Sequence, residues 1–167
     1  MQLYILGAGE FSYCVAELAM ATGKYDAVHF LDDDTGKDNV VGSIGEIDRF
    51  VSEGSEFVVA IGNNEVRMRL LAALEAAHAS VAVLIHPRAH VSDSARLQPG
   101  TIVMPMAVVN SNTAIGRGCI VDCGTIIDHN CEIGDGIHFR PGAIVRPRTI
   151  LESGTIVSAG EVVDMKW

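Results

Sequence analysis

Two histidines, His129 and His138, stand nine residues apart in the C-terminal half of this chain, the first directly after Asp128. An imidazole takes up or releases a proton near neutral pH, so these are the first side chains to weigh for chemistry. A second feature lies near the other end, where Gly7-Ala8-Gly9 follows the apolar run Leu3-Tyr4-Ile5-Leu6. Glycines there let backbone approach an anion at the start of a helix, although Ser12 replaces the third glycine of a dinucleotide fingerprint. A strand-to-helix turn that merely needs glycine suits the pattern equally well. Asp32-Asp33-Asp34 closes another apolar run and suits either a ribose or base contact or a solvated loop. Cys14, Cys119, Cys123 and Cys131 form no CxxC pair, and His86, His90, His129 and His138 lack the spacing of a three-histidine metal site. Packed thiols are therefore expected, with no metal.

These groups need a scaffold, and the sequence describes it with unusual regularity. From Ile85 to Val163 every sixth residue is apolar, through Val91, Leu97, Val103, Val109, Ile115, Val121, Ile127, Ile133, Phe139, Val145, Leu151 and Val157. Four positions after each comes, almost throughout, a small or modest residue such as Ala107, Thr113, Cys119, Thr125 or Cys131. A fixed period held this long marks a stacked solenoid, here a hexapeptide β-helix. Three hexapeptides make one triangular coil, with both residue sets pointing inward.

The residue between them points outward, giving three columns. Ile102, Ile120, His138 and Ile156 form one. His90, Val108, Ile126, Ile144 and Val162 form the second, and Arg96, Ala114, Glu132 and Ile150 the third. Two faces then expose aliphatic stripes and the third is largely polar. Such stripes call for cover, and a closed threefold assembly would bury two faces of each subunit, so a homotrimer is expected. His129 and His138 lie half a coil apart, on different faces of one chain, and can converge only across a subunit boundary. His138 interrupts an isoleucine column and suits either a site or a satisfied interface.

Residues 1–80 follow other rules. Strands are predicted at Leu3–Leu6, Val28–Leu31 and Phe57–Ile61, and helices at Phe11–Ala21 and Glu65–Ala77, the second capped by Asn63 or Asn64. Strands alternating with helices imply a small parallel sheet of Rossmann-like winding. Residues 81–167 make the β-helix. The aromatic content of 5% suits a narrow aliphatic interior, and the net charge of −9 argues against nucleic-acid affinity. No apolar run is long enough to span a membrane and no basic leader precedes one, so a cytoplasmic protein is expected.

Together the residues resemble the left-handed β-helix acyltransferases of bacterial sugars, in particular the sialic acid O-acetyltransferase and UDP-amino-sugar N-acetyltransferase family. The likeness runs from Gly7-Ala8-Gly9 through Phe30-Leu31-Asp32-Asp33-Asp34, Ala60-Ile61-Gly62-Asn63-Asn64 with Arg67, and Ile85-His86-Pro87-Arg88-Ala89. It continues in Val121-Asp122-Cys123-Gly124, Ile127-Asp128-His129-Asn130-Cys131-Glu132-Ile133-Gly134 and His138-Phe139-Arg140-Pro141-Gly142-Ala143.

The resemblance implies acetyl transfer from acetyl-CoA to a nucleotide-activated amino sugar, in cell-surface polysaccharide synthesis, directly and without an acyl-enzyme. His129 would be the general base, with Asp128 fixing its tautomer. His138, from the adjacent subunit, with Arg140 and Gly142 would contact acetyl-CoA, and Arg146 and Arg148 are candidates for the same cofactor at a place where this sequence departs from the family. Gly7, Gly9, Glu10, Phe11, Asp32, Asp33, Asn63 and Arg67 would surround the nucleotide-sugar.

The sequence departs from the family pattern in three places. Glu10-Phe11 stands where Gly-His is usual. Arg146-Pro147-Arg148 replaces two glycines about one coil beyond His129, and Pro147 lacks an N–H. By the coil repeat Arg146 lies above Asp128, so it can pair with that carboxylate, join Arg148 in holding phosphates, or stand in a solvated turn. The chain also ends at Trp167, earlier than relatives do. These departures carry a second reading, a trimeric relative that binds a nucleotide-sugar without productive acetyl-CoA binding.

Overall fold

The computed structural model describes residues 1–164. The chain divides into two compact units, Met1–Ala82 and Val83–Trp167.

In the first unit β1 (Gln2–Leu6), β2 (Ala27–Leu31), β3 (Val40–Gly42) and β4 (Ser55–Val59) form one parallel sheet in the order β3-β2-β1-β4. Helix α1 (Glu10–Ala21) joins β1 to β2, and α2 (Asn64–Ala76) follows β4. This is the Rossmann-like winding that the alternation of elements implied. Val15, Leu18 and Ala19 are buried along α1. The strand predicted at Phe57–Ile61 instead spans Ser55–Val59, because its partner β1 ends at Leu6, opposite Val59. Sequence reading missed β3 and the 3₁₀ helix at Ile44–Arg49. Three residues ending in glycine carry too little periodicity to announce a strand.

The second unit is a left-handed parallel β-helix of two-residue strands in three sheets. Its rungs pair residues eighteen apart, as in Ile102↔Ile120↔His138↔Ile156, Val108↔Ile126↔Ile144↔Val162 and Arg96↔Ala114↔Glu132↔Ile150. These are the three outward columns of the sequence. The inward apolar residues from Val103 to Val145 are buried, whereas Leu97, Leu151 and Val163 nearer the ends are only partly so. Each such burial contributes roughly 1.5–3 kcal/mol relative to exposure.

Two details extend the repeat. The small inward residues also bond polar groups: Thr113 Oγ1 donates to the Asp128 carbonyl at 2.7 Å, and the thiols of Cys119 and Cys131 donate to the Gly134 and Arg146 carbonyls at 3.2 Å. At the corners, every sixth residue from Gly100 to Gly160 has positive φ. Most are glycine, but Met106, Asn112, Asn130 and Arg148 also adopt this conformation. Asparagine tolerates it better than most residues, and arginine carries no such advantage.

The expectation of two open aliphatic stripes is corrected. Ile102 and Ile120 have no accessible surface while Ile156 in the same column is 50% exposed, so that face is open only towards its C-terminal end. The second face stays open, with Ile126 and Val162 exposed. On the third, the expected polar face, Ile150 is 66% exposed.

Candidate functional site

His129 occupies the corner between the strands Ile126–Ile127 and Glu132–Ile133. The flanking residues hold it in two ways. Asp128 Oδ1 accepts the backbone N–H of His129 at 2.7 Å and the Asn110 amide, one coil below, at 3.1 Å. The ring is met by Asn130, whose side-chain amide lies 2.7 Å from Nδ1. Asp128 thus secures the loop, and the ring's neighbour is a neutral amide. Asn130 Nδ2 donates to Nδ1, which puts the proton of the neutral ring on Nε2; a half-turn of the amide presents its oxygen to Nδ1–H and frees the Nε2 lone pair that a proton acceptor needs.

Backbone contacts stack this corner on its neighbours. The Asn130 N–H donates to the Ser111 carbonyl, and the Arg148 N–H donates to the His129 carbonyl, both at 3.0 Å. Arg146 turns away from Asp128 and pairs with Asp164, its Nε 3.5 Å from Oδ2. Arg148 is exposed on its left-handed corner. A depression of about 560 Å³ opens beside Asn130 along the third face. Arg96, Asn112, Glu132 and Ile150 line it with both charge signs and apolar surface.

His138 lies on the side of the coil opposite the His129 corner, 16% exposed, with Nε2 3.9 Å from Asp122 Oδ2. Asp122 Oδ1 accepts the Cys123 N–H at 2.7 Å. Burial alone would raise the Asp122 pKa, but hydrogen bonding and charge from His138, with the Cys123 N–H, hold it below the usual carboxylate range. Arg140 is exposed, and Gly142 makes the next corner at φ +73°.

In the first unit, Gly7 ends β1 at φ +101°, and a Cβ there would stand 2.9 Å from Ile61 Cγ1, so glycine is required by space and conformation. The cradle is partly spent. Asp32 Oδ2 accepts the Ala8 N–H at 2.7 Å, and Oδ1 accepts the Asp34 N–H at 2.9 Å and the Lys37 ammonium at 3.1 Å. Gly9 is the N-cap of α1, with Glu10 in its first turn. Two carboxylates beside these N–H groups disfavour a bound phosphate there. Phe11 is half-buried, and Glu10 and Asp33 are exposed.

Asn63 caps α2 by accepting the Val66 N–H at 3.0 Å. Arg67 is fully buried and donates to the carbonyls of Ile61 and Gly62 and to Asn64 Oδ1. Both side chains therefore shape the loop after β4. Asn110, Asp122 and Asn130 were not chosen from the sequence as site residues. The eighteen-residue spacing of Asn112 and Asn130 was the available signal for the last.

Residues 2–74 match the family described as PglD N-terminal domain. The acetyltransferase domain of PglB from Neisseria gonorrhoeae FA1090, solved in complex with acetyl coenzyme A, is 32% identical, with TM-score 0.86 over 95% of this chain and 88% of that one. A histidine-to-asparagine mutant of perosamine N-acetyltransferase from Caulobacter crescentus, solved with CoA and GDP-perosamine, is 29% identical, with TM-score 0.88 over 98% and 89% of the two chains. The GDP-perosamine N-acetyltransferase of Escherichia coli O157:H7 is 30% identical over 83 residues. That stretch is 50% of this chain and only 38% of that protein.

Proposed function

The chain belongs to the family of hexapeptide-repeat sugar acyltransferases that includes the PglB and perosamine acetyltransferases, and from that premise we propose that it transfers an acetyl group from acetyl-CoA to the amine of a nucleotide-activated amino sugar. The observation that carries the reading is the His129 corner, where the Asn130 amide engages Nδ1 and a half-turn of that amide frees Nε2 as the proton acceptor. His129 removes the proton from the amine as nitrogen attacks the thioester carbonyl. The C–N bond forms, the C–S bond breaks, and the thiolate of CoA leaves and takes up a proton. Asp128 and Asn110 hold the corner rigid during this step.

Arg148 is proposed to face the phosphates of CoA, with Arg146 held nearby by Asp164. His138, Arg140 and Gly142 complete the acetyl-CoA contacts. The first unit is proposed to take the nucleotide-sugar around Gly7, Gly9, Glu10, Phe11, Asp32 and Asp33, its ribose or base and not its phosphates lying beside the Asp32 carboxylate, with Asn63 and Arg67 shaping the neighbouring loop. The open apolar positions Ile126 and Ile150 support a homotrimer, in which the His138 of one subunit approaches the His129 of the next. No helix among the described residues is long and apolar enough to cross a membrane. The cysteines form no disulfide among the described residues, which supports a cytoplasmic setting.

The test is release of free CoA thiol when the protein meets acetyl-CoA and a panel of nucleotide-linked amino sugars, compared with His129→Ala. We expect turnover to fall at least about 100-fold in the variant with acetyl-CoA affinity largely kept. Near-normal turnover would remove His129 as base. Acetyl-CoA failing to bind the wild type would favour the non-catalytic reading.

A further inference from the structure

Ala114 leaves a gap in the third column of the β-helix. The ladder there runs Arg96↔Ala114↔Glu132↔Ile150, so the Ala114 methyl lies between a guanidinium one rung below and a carboxylate one rung above. All three residues line the depression of about 560 Å³. Two strand spacings set the backbones of Arg96 and Glu132 roughly 10 Å apart. Both side chains are exposed, and neither makes a hydrogen bond or an ion pair with another described residue. The depression is therefore bipolar, and its two charges are not spent on each other.

Its negative end lies on the coil of His129. Asn130 joins the two, because its amide stands 2.7 Å from His129 Nδ1 and the same residue lines the depression beside Glu132. A small molecule at the Glu132 end thus meets the surroundings of the proposed base. An amino sugar carried on a phosphate is bipolar in the same sense, with an ammonium on one side of the ring and an anion on the other. A hydroxyl sugar on the same phosphate offers Glu132 no charge.

We propose that Glu132 is a specificity-determining residue that receives the ammonium form of the acceptor amine, while Arg96 faces the phosphate on the anomeric carbon, a role that rests on the acetyltransferase reading. An ammonium has no lone pair, so it gives one proton to water before the nitrogen attacks the thioester carbonyl, and a second proton passes to His129 in the transfer. Glu132 acts earlier, at binding, where charge and hydrogen bonding together favour an amine over a hydroxyl.

The experiment is calorimetric titration of the full-length chain, without acetyl-CoA, using UDP- and GDP-linked amino sugars, each beside its hydroxyl counterpart. We expect the wild type to bind at least one amine member about fivefold more tightly than its counterpart, the upper scale of an exposed ion pair. Glu132→Gln, which keeps the shape of the side chain, should lose that preference and hold the hydroxyl member within about twofold of the wild-type affinity. Arg96→Gln should weaken both members alike and keep the preference. A wild type without amine preference, or a preference that survives in Glu132→Gln, overturns the proposal, and so does an Arg96→Gln variant that binds both members as the wild type does. Acetyl-CoA is titrated separately into Glu132→Gln, and a loss there with the amine preference intact would assign the carboxylate to the donor instead. Acetyl transfer to an amino sugar that Glu132→Gln binds normally would leave the proposed function standing and remove Glu132 alone. An amine preference that vanishes in Glu132→Gln, with no transfer to any sugar in the panel, would do the reverse.

Discussion

The amide of Asn130 stands 2.7 Å from Nδ1 of His129, while the carboxylate of Asp128 meets that histidine only at its backbone N–H, also at 2.7 Å. Orientation of the ring is thereby assigned to the residue after it. Asn130 also sits at φ +58°, so it serves the corner and the ring together.

Asn130→Gly separates these duties, since glycine keeps the left-handed corner and loses the amide. We expect kcat to fall roughly tenfold with thermal stability nearly unchanged. Asn130→Ala should also lose stability, by about 1 kcal/mol, because alanine resists positive φ. Steady-state kinetics and thermal melts on the pair check this, and an active, stable Asn130→Gly enzyme would show that the amide is dispensable.

Arg148 holds a corner at φ +60° where glycine is common along this solenoid. Arg148→Gly should keep or raise stability, by up to about 1 kcal/mol, as the strained conformation is relieved. Acetyl-CoA should bind it several-fold more weakly if the guanidinium faces phosphate. Calorimetric titration and urea unfolding give both numbers. Unchanged affinity would leave Arg148 with no role in binding.

Thr113 lies beneath the His129 corner, its hydroxyl donating to the Asp128 carbonyl and accepting the Cys131 N–H at 3.2 Å. Thr113→Val keeps the shape and strands both groups inside the β-helix. A loss of about 1–3 kcal/mol by urea unfolding is expected, with lowered turnover as the corner loosens.

Asp135 accepts the Arg117 guanidinium through Nε and Nη2, and the Arg117 backbone N–H as well. Burial would raise its pKa, but these contacts outweigh it and lower the pKa, as also happens at Asp32 and Asp122 with their own partners. A carboxyl whose native pKa lies below its unfolded value adds stability above the unfolded value, near about 4, and loses it as pH falls through the native one. Melting temperature should therefore hold as pH falls towards about 4 and drop below it. Asp135→Asn should melt lower near neutrality and show a shallower acid decline. Equal slopes in the two proteins would contradict the assignment.

The β-helix was legible because its rule is local and repeated: inward Val121, Ile127 and Ile133 and outward Ile120, Ile126 and Glu132 follow from period six alone. Periodicity assigns a direction but not a cover, so it did not separate the covered Ile102 and Ile120 from the exposed Ile156 of the same column. It also located His129 without finding its partner. Contact between adjacent residues depends on how the corner bends, and that is set by the positive φ of Asn130. The glycines and asparagines spaced by six carried this information in plain view. Arg67 was placed near the sugar by resemblance, whereas its burial and its carbonyl partners arise from the path of the loop after β4, which no spacing records.

Because every rung repeats the one below it, the middle corner position recurs as Asp93, Ser111, His129 and Pro147. The fold asks nothing particular of that position, so its chemistry has an address, a rung number, instead of a dedicated architecture. Gain or loss of eighteen residues below His129 would carry the corner up or down the column with its packing intact, while a gain of one would turn it inside out. Evolution of such a chain can lengthen the distance between its two ends in whole steps and leave the reacting group unchanged, like moving a lamp between floors of one stairwell.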